Sequence, residues 1–321
     1  MAKHSPDPWG PDVLGPGWQA RTIHLGSDEE GPVEATLVRR AGGPQHPRAV
    51  IYLHGFVDYF FHPHLAQAFA DRGWDFYALD LRKYGRSLRE GQTPNLVRDL
   101  ADHAPEIDEA VHIVAAEEKH GHLAMLGHST GGLIAALWAN ARPGVLDAVV
   151  LNSPWLDLNE GLLARTVGTA AVRALSHVAP RAVVGHLRPH YGRAMHRDSG
   201  GEWDYDLTWK PHEGFPARAA WLASVRRYQD RVARGLAIDC PVLVCTARET
   251  GDSKSVHDRL TTTDSVLSVE QILARAPRLG PDVTIRQITD GAHDLALSPE
   301  PARSAYLATV LDWLDETDPS R

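Results

Sequence analysis

Gly127-His128-Ser129-Thr130-Gly131 sets a serine between two glycines in a G-x-S-x-G pattern. A serine hydroxyl is a weak nucleophile at neutral pH and needs a neighbouring base, usually imidazole, to take its proton. Five residues are a weak pattern alone, so the flanking sequence decides its meaning. The apolar run HLAMLG at 122–127 leads straight into the serine, and the helix-like run TGGLIAALWANA at 130–141 starts directly after it. A strand-to-helix reversal this tight forces the serine into a strained backbone, and glycines beside it lack the side chains that would collide across the turn. The hydroxyl is then lifted clear of the sheet's carboxyl edge, where the first N–H groups of the helix also point. The matching base is His293, in Thr289-Asp290-Gly291-Ala292-His293-Asp294. It follows the apolar run Val283–Ile288 and precedes the last helical segment, on a loop that opens at the same edge. Its position makes it a candidate among 18 histidines.

The rest of the chain supplies the elements that would hold these groups. Two β-branched runs, Ala20–Leu25 and Val33–Val38, read as an opening hairpin bounded by Gly and Pro. Six further apolar runs follow at Ala49–Leu53, Asp75–Leu81, His122–Leu126, Leu146–Leu151, Pro241–Cys245 and Val283–Ile288. Uninterrupted apolar strands suit a parallel sheet covered on both faces. Helices are expected at His62–Asp71, Pro105–Lys119, Thr130–Ala141, Val269–Ala276 and Pro301–Leu314, which makes the architecture α/β and doubly wound. Residues 1–17, rich in Pro and Gly, read as an irregular lead-in. Residues 155–236 break the rhythm: Leu162–Leu175 and Pro216–Val232 are amphipathic, no strand is convincing, and Trp155, Trp203, Trp209 and Trp221 fall within the segment. That is too long for a connecting loop and reads as a helical subdomain.

Composition narrows the function classes. Thirty-three Lys+Arg against 41 Asp+Glu give a formal charge of −8, which offers no general attraction to nucleic acid or to anionic membrane. Cys240 and Cys245 cannot build a disulfide framework, do not form a C-x-x-C pair, and fit a reduced interior. The first twenty residues lack a signal-peptide layout and no apolar stretch approaches a membrane span, so a soluble cytoplasmic protein is expected. His62, His64, His186, His190 and His196 show no i,i+4 ligand pair beside a carboxylate; they read as solvated or packing histidines, and neither metal nor cofactor is expected.

Ser129 in GHSTGG, His54-Gly55-Phe56 after the third strand, and Asp80-Leu81-Arg82-x-x-Gly85-x-Ser87 after the fourth together resemble the α/β-hydrolase superfamily. Within it they are most similar to the serine lipase and esterase branch that contains monoacylglycerol lipases and lysophospholipases. The resemblance covers about residues 18–156 and 237–316, in the order the family requires. It implies an α/β-hydrolase fold with a mostly parallel eight-stranded sheet flanked by helices. The core would span 18–154 and 237–316, and 155–236 would be a helical cap where such enzymes carry a lid. It also implies that Ser129 is the nucleophile, that His293 is the base, and that the N–H groups of Phe56 and Thr130 form an oxyanion hole. His54 would shape the turn, and Arg82 would pair with a carboxylate.

The acid that orients His293 stays open among several carboxylates. Superfamily order puts it after the strand that follows the cap, where Glu249, Asp252, Asp258 and Asp264 stand, and some members place it where Asp157 lies. Asp264 is preferred because its Asp-x-apolar-apolar context resembles the family's acid motif. Its 29-residue gap to His293 also accommodates one helix and one strand with little slack. This choice implies a polar detour of about 16 residues between strand and acid. Aromatic residues of the insertion are candidates for an acyl pocket or for the subdomain's own core, and Phe60 and Phe61 for the border of a substrate entrance. The activity implied is metal-free hydrolysis of a small ester with a fairly apolar acyl group. Amide or thioester cleavage, acyl transfer, and a non-catalytic ligand-binding role on the same fold are the alternatives.

Overall fold

The computed structural model describes residues 7–158 and 168–318. In chain order they form β1 (Gly10–Pro11), β2 (Trp18–Asp28), β3 (Gly31–Arg40), β4 (Arg48–Leu53), α1 (Pro63–Ala70), β5 (Trp74–Asp80), α2 (Ala104–His112), β6 (His122–His128), α3 (Thr130–Ala141) and β7 (Ala148–Asn152). The 155–236 segment contributes α4 (Thr169–Val178), β8 (Val183–Gly185), α5 (Pro189–Met195), β9 (Ala217–Arg218) and α6 (Ala219–Arg234). The chain then returns through β10 (Val242–Ala247), α7 (Val269–Arg275), β11 (Val283–Ile288) and α8 (Ala302–Thr317).

The main sheet has the order β1-β2-β3-β5-β4-β6-β7-β10-β11. β1, β2 and β3 are antiparallel neighbours, β3 runs antiparallel to β5, and every pairing from β5 to β11 is parallel. The sheet therefore has nine strands where eight are expected. The added one is the two-residue β1, whose Gly10 and Pro11 pair with Ala20 and Gln19, so the sheet edge begins inside the stretch read as lead-in. The insertion also departs from the all-helical reading, because β8 and β9 pair antiparallel as a short ribbon. The helix expected from Leu162 starts outside the described residues; its remainder is α4.

Alternate side chains of each central strand feed two separate cores, which explains why these strands are apolar throughout. Ile51, Leu53, Met125, Leu151 and Val244 pack on one face with Ile107 of α2 and Ile134 and Trp138 of α3. Val50, Tyr52, Leu126, Val150 and Leu243 pack on the other with Phe69 of α1 and Tyr306 and Val310 of α8. Parallel register pairs Leu53 with Gly127 and His128 with Asn152, so the residues following β4, β6 and β7 emerge at one edge. The segment after β5 is fixed there too. Arg86 pairs with the buried carboxylates of Asp80 and Asp12, and Arg82 binds Glu106.

Phe60 and Phe61 turn inward. Phe60 packs against Trp18, Tyr52 and Phe76, and Phe61 against Tyr59 and Tyr205. Between them and Tyr52 sits His62, fully enclosed, with neither ring nitrogen hydrogen-bonded. Burial lowers its pKa to about 3. The unfolded ring takes a proton below about 6.5 and the folded ring does not, so this site removes stability as the pH falls from near 6.5 toward 3. Between pH 7 and 4.5 the loss from this one ring is on the order of 2–3 kcal/mol. Urea unfolding at the two pH values is expected to show a smaller acid loss for His62→Phe than for the wild type, by about that amount.

Candidate active site

The β6–α3 reversal dictates the local geometry. Ser129 has φ 54° and ψ −116°, a conformation that L-residues rarely adopt. The backbone closes so tightly around it that a Cβ on Gly127 would lie 2.6 Å from the Gly131 carbonyl oxygen, and one on Gly131 would lie 2.3 Å from that of His54. Glycine at both positions is a steric requirement. The Ser129 N–H donates to the Asn152 carbonyl at 3.0 Å, which ties the turn to the end of β7.

The structure brings Ser129, His293 and Asp264 into one line. His293 Nε2 lies 3.1 Å from Ser129 Oγ, and His293 Nδ1 lies 2.9 Å from Asp264 Oδ1. All three are buried, with Ser129 8% exposed at the floor of a cavity. Asp264 Oδ1 also accepts from the Val266 and Leu267 N–H groups, which fixes the carboxylate before it meets the imidazole. The detour that precedes it is pinched at its base. Asp264 N–H donates to the Glu249 carbonyl at 2.9 Å, and Gly251 N–H donates to the Asp264 carbonyl at 2.8 Å. The acid thus lies beside the end of β10 despite its distance in sequence.

The other carboxylates are engaged elsewhere. Asp252 is exposed and bonds Ser255 and the Lys254 N–H, Glu249 pairs with Arg259, and Asp258 is exposed. Asp157 is buried between Arg226 at 3.1 Å and Arg275 at 2.8 Å, where it fastens α6 and α7 to the end of β7.

Thr130 directly follows the serine and Phe56 lies on the loop after β4, and among the described residues neither backbone N–H has a protein acceptor. Phe56 is held by its ring, which stacks on Trp221 of α6 with centroids 4.2 Å apart. His54 serves the turn: its Nε2 accepts from the Leu81 N–H at 3.0 Å. The cavity above Ser129 and His293 has a volume of about 650 Å³, and Trp155, Leu158, Val172, Leu187, Trp221 and Leu267 give it an apolar wall. The insertion supplies most of that wall. Trp203 and Trp209 do not line it and instead pack with Tyr59, Phe61 and Tyr205.

Sequence reasoning missed a second set of groups beside the serine: the buried Asp58, His128 and Asp294, and the half-buried Lys210. The available signals were slight, since Asp58 follows His54 by four residues and Asp294 directly follows His293. Asp294 Oδ1 accepts from Asn152 Nδ2 at 2.8 Å, and the Asp294 N–H donates to Tyr191 Oη at 3.1 Å, which braces the loop that carries His293. The His128 ring lies 4.8 Å from that of His293, and burial lowers its basicity.

The family model of the serine aminopeptidases, S33, matches residues 44–300, which include every side chain of the site just described. The chain belongs to the serine aminopeptidase S33 family. It is therefore a serine hydrolase of the α/β class, and relatives of this S33 chain include carboxylic-ester hydrolases. It is 32% identical to the monoacylglycerol lipase of Mycolicibacterium smegmatis over 202 residues, 62% of this chain and 69% of that protein. A soluble variant of the monoglyceride lipase of Saccharomyces cerevisiae superposes with a TM-score of 0.66 at 13% identity, over 98% of both chains. A carboxyl esterase from Bacillus coagulans gives the same TM-score at 14% identity, over 93% of this chain and 98% of that one. At those identities the two structures establish a shared α/β-hydrolase fold. Among the described residues, no helix of this S33 hydrolase is long and apolar enough to cross a membrane.

The two buried aspartates can be separated by substitution. Asp264→Asn is expected to lower turnover by about 10⁴ through the wrong imidazole tautomer. Asp157→Asn is expected to lower stability in urea while leaving turnover of the remaining folded protein within about threefold of wild type.

Proposed function

We propose that this chain is a serine esterase that cleaves a carboxylic ester of a fairly apolar acyl group through an acyl-enzyme. The observation that carries the reading is the hydrogen-bond run from Asp264 through His293 to Ser129 at the floor of an apolar cavity. Ser129 Oγ attacks the ester carbonyl carbon while His293 Nε2 accepts its proton. Asp264 holds the imidazole with its remaining proton on Nδ1 and stabilises the imidazolium. The Phe56 and Thr130 N–H groups receive the negative oxygen of the tetrahedral intermediate, and losing one such donor typically costs ~10²–10³ in rate. His293 then protonates the departing alcohol, and water enters to release the acid by the same steps in reverse order.

The 155–236 insertion acts as the cap. Its α6 ring Trp221 backs Phe56, and its Val172 and Leu187 line the route an acyl chain would take, so binding of the chain and seating of the oxyanion donor share one wall. A small ester is the partner this cavity suits. The two free cysteines are buried, in keeping with work in a reducing cytoplasm. The family's aminopeptidase description supports one second reading, amide cleavage by the same acyl-enzyme.

A fluorophosphonate probe is expected to give one stoichiometric adduct on Ser129 by intact mass, and none in Ser129→Ala. An unlabelled wild-type protein would remove the serine-hydrolase mechanism. A matched series of p-nitrophenyl esters, anilides and thioesters separates the two readings. Esters of medium acyl length are expected to give the highest kcat/KM, and an anilide in first place would favour the amidase.

A further inference from the structure

Asp58, His128 and Asp294 are all buried, and each brings a potential ligand atom within 4.8 Å of the others. The positive charge facing this group belongs to the chain itself. Lys210, the only lysine among eleven arginines in the 155–236 insertion, reaches down to Asp58 Oδ1. Its ammonium also sits 4.9 Å from the Phe61 ring centroid and 5.3 Å from that of Tyr205. A compact ammonium suits such a slot, and a planar guanidinium does not. Burial alone would raise the Asp58 pKa, but Lys210, the largest opposing influence, holds it well below the usual carboxylate range. Burial keeps His54 and His128 poorly basic, so the ion-pair partner of Asp58 is Lys210.

The other oxygen of Asp58 points at the site. Oδ2 accepts from the Gly55 N–H at 3.3 Å and closes a four-residue turn in which Val57 takes φ 53°. Phe56 lies inside that turn, and its N–H has no protein acceptor among the described residues. A second contact docks the same part of the insertion. The Asp206 N–H donates to Tyr59 Oη at 2.7 Å, Trp209 meets the Tyr59 ring edge-on at 5.1 Å, and the Lys210 N–H returns to the Asp206 carbonyl at 2.9 Å. The 206–210 turn is thus clamped onto residues 58–59, two positions beyond the proposed oxyanion donor Phe56.

We propose that Lys210 is a positioning residue for the oxyanion hole: from the cap, it fixes the Asp58 carboxylate that closes the 55–58 turn and thereby aims the Phe56 N–H. This rests on the serine-esterase reading. Without the ammonium, a buried lone carboxylate seeks water or another partner and releases the Gly55 N–H. The loss then falls on the step in which charge develops on the carbonyl oxygen, while ground-state binding of the acyl chain is spared.

The test compares wild type, Lys210→Met, Asp58→Asn and the double variant, each checked for folding by circular dichroism. Three quantities are read: kcat and KM on p-nitrophenyl hexanoate; Ki for a hexyl trifluoromethyl ketone, which places an oxyanion in the hole once Ser129 Oγ adds to its carbonyl; and Ki for the matching ether, which cannot add. Lys210→Met is expected to lose about tenfold or more in kcat and in ketone affinity, with KM and ether affinity within about twofold of wild type. The amide oxygen introduced by Asp58→Asn can still accept from the Gly55 N–H, and a neutral amide needs no ammonium beside it. Adding Lys210→Met to Asp58→Asn is therefore expected to change kcat by less than about threefold. If Lys210→Met alone fails to fold, Lys210→Gln, which removes the charge and keeps a polar side chain, is read in its place with the same outcomes. Unchanged kcat in Lys210→Met, parallel loss of ketone and ether affinity, or single-variant losses that simply multiply would each overturn the role of Lys210. Wild-type protein that neither hydrolyses the ester nor adds to the ketone would overturn the esterase reading, and the Lys210 role with it.

Discussion

The backbone of Ser129 is the constraint on which the rest of the site depends. A residue held in so sparsely populated a conformation costs about 1–3 kcal/mol and persists only where its surroundings over-determine it. Here they do so from three sides: the buried β6 delivers the chain, α3 takes it away at once, and β7 receives the Ser129 N–H. Gly131 lets the loop after β4 pass within contact distance of the helix start, which puts Phe56 beside the serine. The close approach that makes glycine necessary is the same one that brings the backbone of residues 53–55 against the serine turn.

Around that turn the structure divides its labour by element. The carboxyl ends of the parallel strands present the groups, and the insertion closes over them with rings. Trp221 stacks on Phe56 and lies 5.8 Å from Trp155, so the wall above the serine is a run of flat surfaces contributed from both ends of the insertion. Such surfaces exclude water at small cost in side-chain entropy. Polar residues of the insertion act at the rim of this wall, where Tyr191 steadies the His293 loop and Lys210 meets Asp58.

Much of this was legible in the sequence, for physical reasons. Strands buried on both faces leave uninterrupted apolar runs, so β4, β6 and β10 announced themselves, and the abrupt change of period at Ser129 marked the reversal. Asp264 could be preferred because its Asp-x-apolar-apolar context resembles the family's acid motif and because one helix and one strand fill the interval before His293. Other features left no periodic trace. β1 spans two residues, and β8 and β9 span three and two, too short for alternation to register. Phe60 and Phe61 suggested an entrance because aromatics in a loop are conspicuous, yet Phe60 fills the space between α1 and the sheet and Phe61 packs against Tyr59 and Tyr205. Lys210 lies 152 residues from the carboxylate it meets, a pairing that only the folded chain reveals.

The pinched base of the 250–264 detour has an evolutionary consequence. Hydrogen bonds between Glu249, Gly251 and Asp264 hold both ends of the excursion together whatever lies between them. Closing a longer loop costs only about 0.6 kcal/mol per doubling of its length. Residues beyond that neck can lengthen, shorten or change character without displacing the carboxylate at its foot. Ser253 and Lys254, out on the excursion, reach the rim of the cavity. This arrangement leaves selection free to remodel what the enzyme admits while the machinery beneath stays untouched.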